Sequence, residues 1–348
     1  METEIPGMEP GRKEVNRLRR SLCVLGFLPL GLVLLLATVW AMAALHFDIR
    51  VSWLGTPLAV AYLLALLPVW ILARGWWRKF GLTAVAFLLV LAWWLSLKPS
   101  NTRDWQPDVA LLAYADIEGN KVAVHNIRNC DYRTESDFDV RHYDKTYDLD
   151  GIRTADLYMV YWGSPNIAHT MVSFGFDGGD YLCFSIETRK KKGQEYSAIK
   201  GFFRQFELIY IAADERDVIR LRTNYRKGEE VYLFRLKGSP QQVRGLLLGY
   251  LHRLNSLHQT PEWYNALTHN CTTSIRMQRA ATDRAPFDWR MLANGHGDEL
   301  LYERGMIATN LPLADLKERA HINARARAAD KAADFSNRIR QGVPGIEL

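Results

Sequence analysis

The chain has 348 residues, 48% of them hydrophobic and 24% charged, a composition that supports a packed core and excludes a largely disordered protein. Its formal net charge is +6, but the residues after 97 show no basic stripe interleaved with aromatic side chains, so we expect no nucleic-acid partner. Much of the positive charge instead flanks apolar runs, where it indicates membrane topology. The cysteines have no paired metal-ligand spacing, so the sequence predicts no metal and no cofactor.

Three uncharged apolar runs lie near the N-terminus, at residues 22–45, 51–73 and 80–97. Each is close to the ~20 residues that cross a bilayer as a helix. Lysine and arginine are concentrated in the arm 1–20 and the loop 74–79, which are therefore predicted to be cytoplasmic. Everything after the third run is then extracytoplasmic, in a multi-pass membrane protein. The alternative for the first run is a cleaved signal peptide, because Ala41-Met42-Ala43 fits the small-residue cleavage rule.

From residue 108 onward the pattern predicts an α+β domain. The β-rich runs 168–176 and 181–188 are joined by Asp177-Gly178-Gly179-Asp180, which is typical of a hairpin and hence of an antiparallel sheet. Further strands are expected at 206–212 and 230–236, and helices at 240–257 and 271–281. Residues 311–339 are expected to form one long amphipathic helix. The domain limits follow: a basic arm 1–20, a three-span region 21–98, an extracytoplasmic catalytic domain 108–310, and a C-terminal helix 311–348 packed on that domain.

Cys271 is the strongest candidate nucleophile. It lies in His269-Asn270-Cys271-Thr272-Thr273, at the start of a predicted helix, where unpaired backbone N–H groups favour a thiolate and can receive an oxyanion. The alternative is a small buried cysteine without a chemical role. Cys130 and Cys183 leave open a disulfide in an oxidising compartment.

A thiol nucleophile needs a base, and His169 is the first choice because it begins a β-rich run that would hold the imidazole rigidly. His269 is the competing base, although residues close together on a turn seldom aim their side chains at each other. The predicted hairpin brings Glu187 nearly opposite His169, where it could orient the ring. Alternatively, Glu187 pairs with Arg189 or Arg204 as an ordinary surface charge.

Beyond these single residues, the chain resembles the Lnb family from about residue 108 to the C-terminus. The resemblance is carried by Trp162-Gly163, Ala168-His169-Thr170, Ser173-Phe174, Ser185-Ile186-Glu187-Thr188-Arg189, Glu207-Leu208, Asp214-Glu215-Arg216-Asp217, Leu221-Arg222-Thr223-Asn224, Trp263-Tyr264-Asn265, Asn270-Cys271-Thr272-Thr273, Asp334-Phe335-Ser336 and Ile339-Arg340. The resemblance implies a papain-like domain, similar to circularly permuted NlpC/P60 thiol enzymes, in which the histidine precedes the cysteine. The chain departs from lecithin-retinol acyltransferase-like relatives, which have Glu-His where Thr272-Thr273 follows Cys271. No second histidine matches their third polar position.

The function that this resemblance implies is lipoprotein N-acylation. A membrane phospholipid would donate an acyl chain to Cys271 as a thioester, and the amino terminus of a diacylated lipoprotein would accept it, with His169 carrying the proton. The expected partners are therefore the phospholipid, the lipoprotein and the bilayer itself. Two alternatives stay open: a cell-wall peptidase or amidase on the same thiol fold, and a non-catalytic membrane scaffold. A hydrophobic groove at the thiol would favour acyl transfer, and a polar groove would favour the peptidase.

Overall fold

The computed structural model of the chain describes residues 11–265, 288–291 and 294–346. The chain divides into two compact units, Met1–Lys98 and Pro99–Leu348. The division coincides with the end of the third apolar run, so the membrane region and the remaining residues fold around separate cores. The α+β class predicted from the sequence is confirmed.

The first unit consists of the helices α1 (Gly11–Asp48), α2 (Ser52–Leu72) and α3 (Trp76–Ser96). Three windows in them are long and apolar enough to cross a membrane: Leu28–Asp48, Ser52–Leu72 and Trp76–Ser96. Large apolar side chains such as Leu35, Leu64 and Leu89 point outward along these helices, as expected for helices whose outer surface faces lipid. The three predicted spans are therefore confirmed, and α1 begins earlier than its apolar run, at Gly11.

The second unit is built on one large sheet. Its strands are β1 (Tyr114–Glu118), β2 (Lys121–Arg128), β5 (His142–Asp148), β6 (Ile152–Trp162), β7 (Ser164–Phe176), β8 (Tyr181–Arg189), β9 (Glu207–Ala213) and β10 (Glu229–Arg235); β3 (Asp131–Tyr132) and β4 (Phe138–Asp139) form a separate small hairpin. Among the described residues the strand order is β1-β2-β9-β8-β7-β6-β10, with β5 paired to β2. The pairs are antiparallel except for β2 with β9, which run parallel at Arg128 and Ala213.

The β7–β8 hairpin forms where the sequence predicted it. Its turn contains Gly178 and Gly179, both with φ near +80° (82° and 81°), a backbone conformation that glycine adopts without steric cost. The ladder pairs Gly175 with Tyr181 and continues to Met171 with Ser185. The predicted strands at 206–212 and 230–236 also form, as β9 and β10.

The sheet has two buried faces, because alternate side chains of a strand point to opposite sides. The first face carries Val172, Phe174 and Phe184 and packs against the helix α5 (Pro240–Gln259), whose Tyr250 ring lies 5.1 Å from the Phe184 ring. The second face carries residues such as Met171 and belongs to another apolar cluster that includes residues near the C-terminus. By this alternation His169, Ser185 and Glu187 all belong to the second face.

The remaining helices are short. They are α4 (Glu215–Arg220), followed by a π-helical turn (Leu221–Tyr225), then α6 (Gly297–Glu303), α7 (Leu313–Ala320), α8 (Asn323–Ala328) and α9 (Phe335–Arg340). Helix α5 begins with a capping box between Ser239 and Gln242, which satisfies backbone N–H groups at its first turn. The predicted helix 240–257 is thus confirmed, whereas the one at 271–281 lies outside the described residues.

The single helix predicted for 311–339 is wrong, since α7, α8 and α9 occupy that range. The chain leaves the helical path at His321 because it pairs with the edge strand β10 instead. His321 forms a β-bridge with Tyr232, and the Ile322 N–H donates to the carbonyl of Val231. The Asn323 side chain then accepts from the Val231 N–H and donates to the Glu229 carbonyl. These bonds pair backbone N–H and C=O groups on the outer edge of β10, which a continuous helix over 311–339 would leave unpaired.

A buried ionic cluster fixes helix α9 to the sheet. The guanidinium of Arg340 donates to both carboxylate oxygens of Glu215 at 2.7 Å and to Asp156 at 2.9 Å. The Tyr158 hydroxyl adds a third donor to Glu215 at 2.7 Å. All four side chains are buried, so removing one of them would leave uncompensated charge or an unmet hydrogen bond in the core. The motif residues Glu215 and Arg340 are therefore structural.

Candidate functional site

His169, Ser185 and Glu187 form a hydrogen-bonded chain on the second face of the sheet. The Nε2 atom of His169 lies 2.8 Å from the Ser185 hydroxyl oxygen, and that hydroxyl donates to Glu187 Oε1 at 2.8 Å. The direct distance from His169 Nε2 to Glu187 Oε1 is 3.5 Å. The structure therefore brings the predicted base and its predicted partner together, with Ser185 between them.

The strand register explains this placement. Met171 pairs with Ser185 across the β7–β8 ladder, so the same register carried on by two residues sets His169 opposite Glu187. On the other side of β7, Val160 of β6 pairs with His169. The imidazole is thus held on a central strand between two neighbours, and its side chain remains 11% exposed.

The single hydroxyl proton of Ser185 determines the tautomer of His169. An ionised Glu187 can only accept hydrogen bonds, so the Ser185 proton is used in the bond to that carboxylate. The Ser185 oxygen must then accept from a proton on His169 Nε2. This leaves the lone pair on Nδ1, which has no hydrogen-bond partner among the residues that the structure describes. His169 consequently presents Nδ1 as its basic atom.

A buried arginine extends the chain. Arg222, from the π-helical turn, donates to Glu187 Oε1 at 3.1 Å and to both oxygens of Glu229 at 3.2 and 3.3 Å. The alternative partner Arg189 instead donates to the carbonyls of Val109 and Ala110. Glu187 therefore belongs to the histidine site and is not an ordinary surface charge.

The electrostatics keep His169 neutral and Glu187 ionised at neutral pH. Burial, followed by the nearby charge of Arg222, lowers the pKa of His169 to about 3, although the Glu187 carboxylate acts in the opposite direction. Burial alone would raise the pKa of Glu187, but attraction to the protonated form of His169, which exists only at low pH, and to Arg222 outweighs it and holds that pKa below its ordinary value. A neutral imidazole with a free lone pair is the form that a general base requires.

Two of the predicted site residues, Cys271 and the competing base His269, lie outside the described residues. Contact between Cys271 and His169 therefore stays a prediction. Cys130 and Cys183 are free and buried, so they do not form the disulfide that the sequence left open. Burial raises the pKa of the Cys130 thiol to about 12 and that of Cys183 well above its ordinary value. Neither thiol is therefore suited to nucleophilic attack.

Sequence reasoning missed Ser185 and Arg222 as site residues, although both lie in the segments that carry the family resemblance. The signal for Ser185 was its spacing of two residues from Glu187, which places both side chains on one face of a strand. Arg222 gave no comparable signal, because only the folded chain brings the turn after α4 next to Glu187. Throughout the described ranges, no group of three or more histidine, cysteine, aspartate or glutamate side chains is arranged to hold a metal ion.

Two exposed apolar side chains lie near the ends of β6 and β7 that meet each other. Ile167 precedes His169 by two residues on β7, and Trp162 of β6 pairs with Ser164 beyond a register shift in the β6–β7 ladder. Both remain exposed, at 55% and 42%.

Comparison with known proteins identifies the domain that contains this site. No curated protein and no solved structure matches the chain. Residues 139–295 match a protein-family model described as the Lnb N-terminal periplasmic domain, and this range includes His169, Ser185, Glu187 and Arg222. The resemblance to the Lnb family is thereby confirmed. The family match over residues 139–295 and the three candidate spans together support a membrane protein with an extracytoplasmic domain that is similar to that of the Lnb family.

Proposed function

We propose that the protein is a lipoprotein N-acyltransferase in which Cys271 is the nucleophile and His169 its base. The observation that carries the proposal is the chain His169–Ser185–Glu187, which leaves a neutral imidazole with its lone pair on Nδ1. Both substrates of that reaction are lipids, and the three candidate spans would hold the enzyme in the bilayer that contains them. This anchoring is the reason to prefer acyl transfer to the peptidase or amidase reaction.

The first half-reaction transfers the acyl group to the thiol. His169 Nδ1 takes the proton of Cys271 as its sulfur attacks the ester carbonyl of a phospholipid. The tetrahedral intermediate then expels the lysophospholipid oxygen, which receives the proton from His169. The acyl chain remains on Cys271 as a thioester. While His169 carries the proton, the carboxylate of Glu187 offsets its charge through Ser185.

The second half-reaction regenerates the thiol. The amino terminus of a diacylated lipoprotein attacks the thioester carbonyl, an amide bond forms, and the bond to sulfur breaks. His169 accepts a proton from the attacking amine and returns one to the sulfur of Cys271. The balance of bonds and protons requires no co-reactant beyond the two lipid substrates.

The proposal includes a location. Both substrates are confined to a bilayer, so an anchored enzyme avoids a search in solution. We propose a bacterial inner membrane with the N-terminus cytoplasmic, because Arg74 lies in the loop between α2 and α3, and Arg78 and Lys79 lie in the first turn of α3. The domain that carries His169 would then act at the extracytoplasmic leaflet, where lipoproteins present their amino termini.

The covalent intermediate tests this function. Purified full-length protein incubated with phospholipid should gain the mass of one acyl chain, and hydroxylamine should release it. The Cys271→Ala variant should gain nothing, and cells that depend on it should keep lipoproteins with free amino termini. Cys183→Ala is the matched control, since it removes a buried thiol elsewhere in the domain, and it should still be acylated.

Three results would contradict the proposal. An acyl adduct that persists in Cys271→Ala would mean that another residue is the nucleophile. Hydrolysis of cell-wall peptides by the wild-type protein, lost in Cys271→Ala and without any acyl adduct, would establish the peptidase or amidase reaction instead. A protein that shows neither activity would be the non-catalytic scaffold.

A further inference from the structure

The segment after β8 combines positive charge with outward-facing apolar side chains. We call residues 190–204 the basic loop. Its cationic residues are Lys190, Lys191, Lys192, Lys200 and Arg204, and its one acidic residue is Glu195. The exposed fractions of Tyr196, Ile199 and Phe202 are 51%, 62% and 42%. Positive charge is therefore concentrated in this loop as well as beside the apolar runs near the N-terminus.

The basic loop has a defined conformation. Phe203 points inward and is buried, and the ring of Tyr196 stacks on Phe206 with centroids 6.0 Å apart. Residues Lys200–Phe202 form a short 3-10 turn. The inward anchor at Phe203 leaves the neighbouring Phe202 on the outside. Exposure of the three apolar side chains is therefore a property of the fold and not of an unfolded tip.

Backbone pairing joins the basic loop to residues 101–106. The Gln106 N–H donates to the Lys190 carbonyl, and the Lys192 N–H donates to the Asp104 carbonyl, both at 2.9 Å. Asn101 adds a side-chain bond, since its Oδ1 accepts from Arg189 at 3.0 Å. The loop and the segment just after the third span are thus hydrogen-bonded into one piece.

Chain length limits how far this piece can lie from a membrane. Helix α3 ends at Ser96 and Asn101 follows five residues later, a separation of at most about 18 Å at full extension. Arg189, bound by Asn101, is the residue directly before the basic loop. This limit follows from covalent geometry alone, so it holds for every arrangement of the two units.

We infer that the basic loop docks on the surface of the bilayer, with its lysines on anionic phospholipid headgroups and its apolar side chains in the interface. Tyr196, Ile199 and Phe202 supply the apolar contact, and amphipathic surfaces of this composition bind where headgroups meet acyl chains. Each lysine near an anionic surface strengthens binding about fivefold. The inference does not depend on acyl transfer, because it concerns lipid contact and not chemistry.

Photo-crosslinking of the full-length protein tests this docking. Photoreactive p-benzoylphenylalanine is placed at Ile199, and the protein is reconstituted in nanodiscs of phosphatidylcholine alone or with phosphatidylglycerol. Mass spectrometry of the peptide that contains position 199 should then show phospholipid adducts, at least several-fold more abundant with the anionic lipid. The same probe at Val140, another exposed apolar position, should give few lipid adducts.

Charge reversal supplies the second arm. The double variant Lys190→Glu, Lys200→Glu should lower the adduct yield at Ile199 by at least tenfold, and Lys192 is kept because its ammonium group pairs with Asp104 at 2.7 Å. Its matched control reverses the lysines at 121 and 331, which are exposed elsewhere on the unit, and should leave the yield unchanged. Equal lipid adducts at Ile199 and Val140, or a yield indifferent to the loop lysines, would overturn the inference. Adducts to a second protein chain instead of lipid would overturn it as well.

Discussion

The side chain of Ser185 decides how His169 can act. Its one hydroxyl proton is used in the bond to Glu187, so its oxygen accepts from His169 and fixes the imidazole tautomer. A direct bond between histidine and carboxylate would fix the same tautomer, but the 3.5 Å separation of His169 Nε2 and Glu187 Oε1 is too long for one. The alternation of strand residues made His169 and Glu187 predictable. The role of Ser185 between them could not be predicted, because it depends on the distance between the folded strands, and no sequence pattern gives that distance.

Replacing Ser185 with alanine tests this role. We expect Ser185→Ala to lower the turnover of N-acylation by roughly 100-fold with little change in KM, because the imidazole loses its orienting bond while lipid contacts remain. Steady-state assays on phospholipid and a diacylated peptide would measure it. Ser173→Ala is the control, since Ser173 is equally buried on β7 and lies four residues from His169. Equal losses of turnover in both variants would mean that packing, and not the hydrogen bond, matters at Ser185.

At the scale of elements, two edge strands of the large sheet, β1 and β10, are each bound by an asparagine from a helix. Asn323 of α8 binds the backbone of β10 at Val231 and Glu229. Asn255 of α5 makes the equivalent pair of bonds to Ala115 of β1, at 2.7 Å each. The periodicity of apolar residues predicted a helix around each asparagine, at 240–257 and at 311–339. The second predicted helix was too long, because the pairing of a loop with a distant strand edge leaves no periodic signal in the sequence.

These two asparagines give a matched pair of variants. Asn323→Ala should lower the free energy of unfolding by about 2–4 kcal/mol, because it leaves two backbone groups of β10 without partners. Asn255→Ala should cost a similar amount at β1. Thermal unfolding in detergent would measure both losses. Only Asn323→Ala should also lower turnover. Glu229 of β10 accepts hydrogen bonds from Arg222, and Arg222 also binds Glu187 of the histidine site. Unchanged turnover in both variants would mean that β10 does not support the site.

Across the whole molecule, predictions from sequence succeed where the signal is local or continuous. The three spans follow from uninterrupted apolar runs, and the β7–β8 hairpin follows from two glycines between β-rich runs. The buried cluster of Arg340, Asp156 and Glu215 could not be predicted, because its members are separated by 184 and 125 residues. Because these three side chains are charged, composition alone would predict that they are exposed to solvent. The segments that resemble the Lnb family include Glu215 and Arg340, but the resemblance does not distinguish a structural role from a catalytic one.

The pH dependence of stability should reveal the burial of His169 in the intact protein. A histidine whose pKa is lowered on folding binds more protons in the unfolded state than in the folded state. Its contribution to the free energy of unfolding is therefore present above its ordinary pKa of about 6.5 and is lost as the pH falls towards 3. His125 has the opposite sign, because its bond to Asp144 raises its pKa, opposed in part by slight burial. Its contribution to the free energy of unfolding is present at low pH and is lost as the pH rises.

We therefore expect His169→Gln to reduce the loss of thermal stability between pH 7 and pH 5, and His125→Gln to increase it. Melting temperatures of the two variants and the wild-type protein, measured in the same detergent at each pH, would separate the two effects. If His169→Gln left the pH dependence unchanged, the imidazole would be titrating as it does in water, and it would not be the buried neutral base that the site requires.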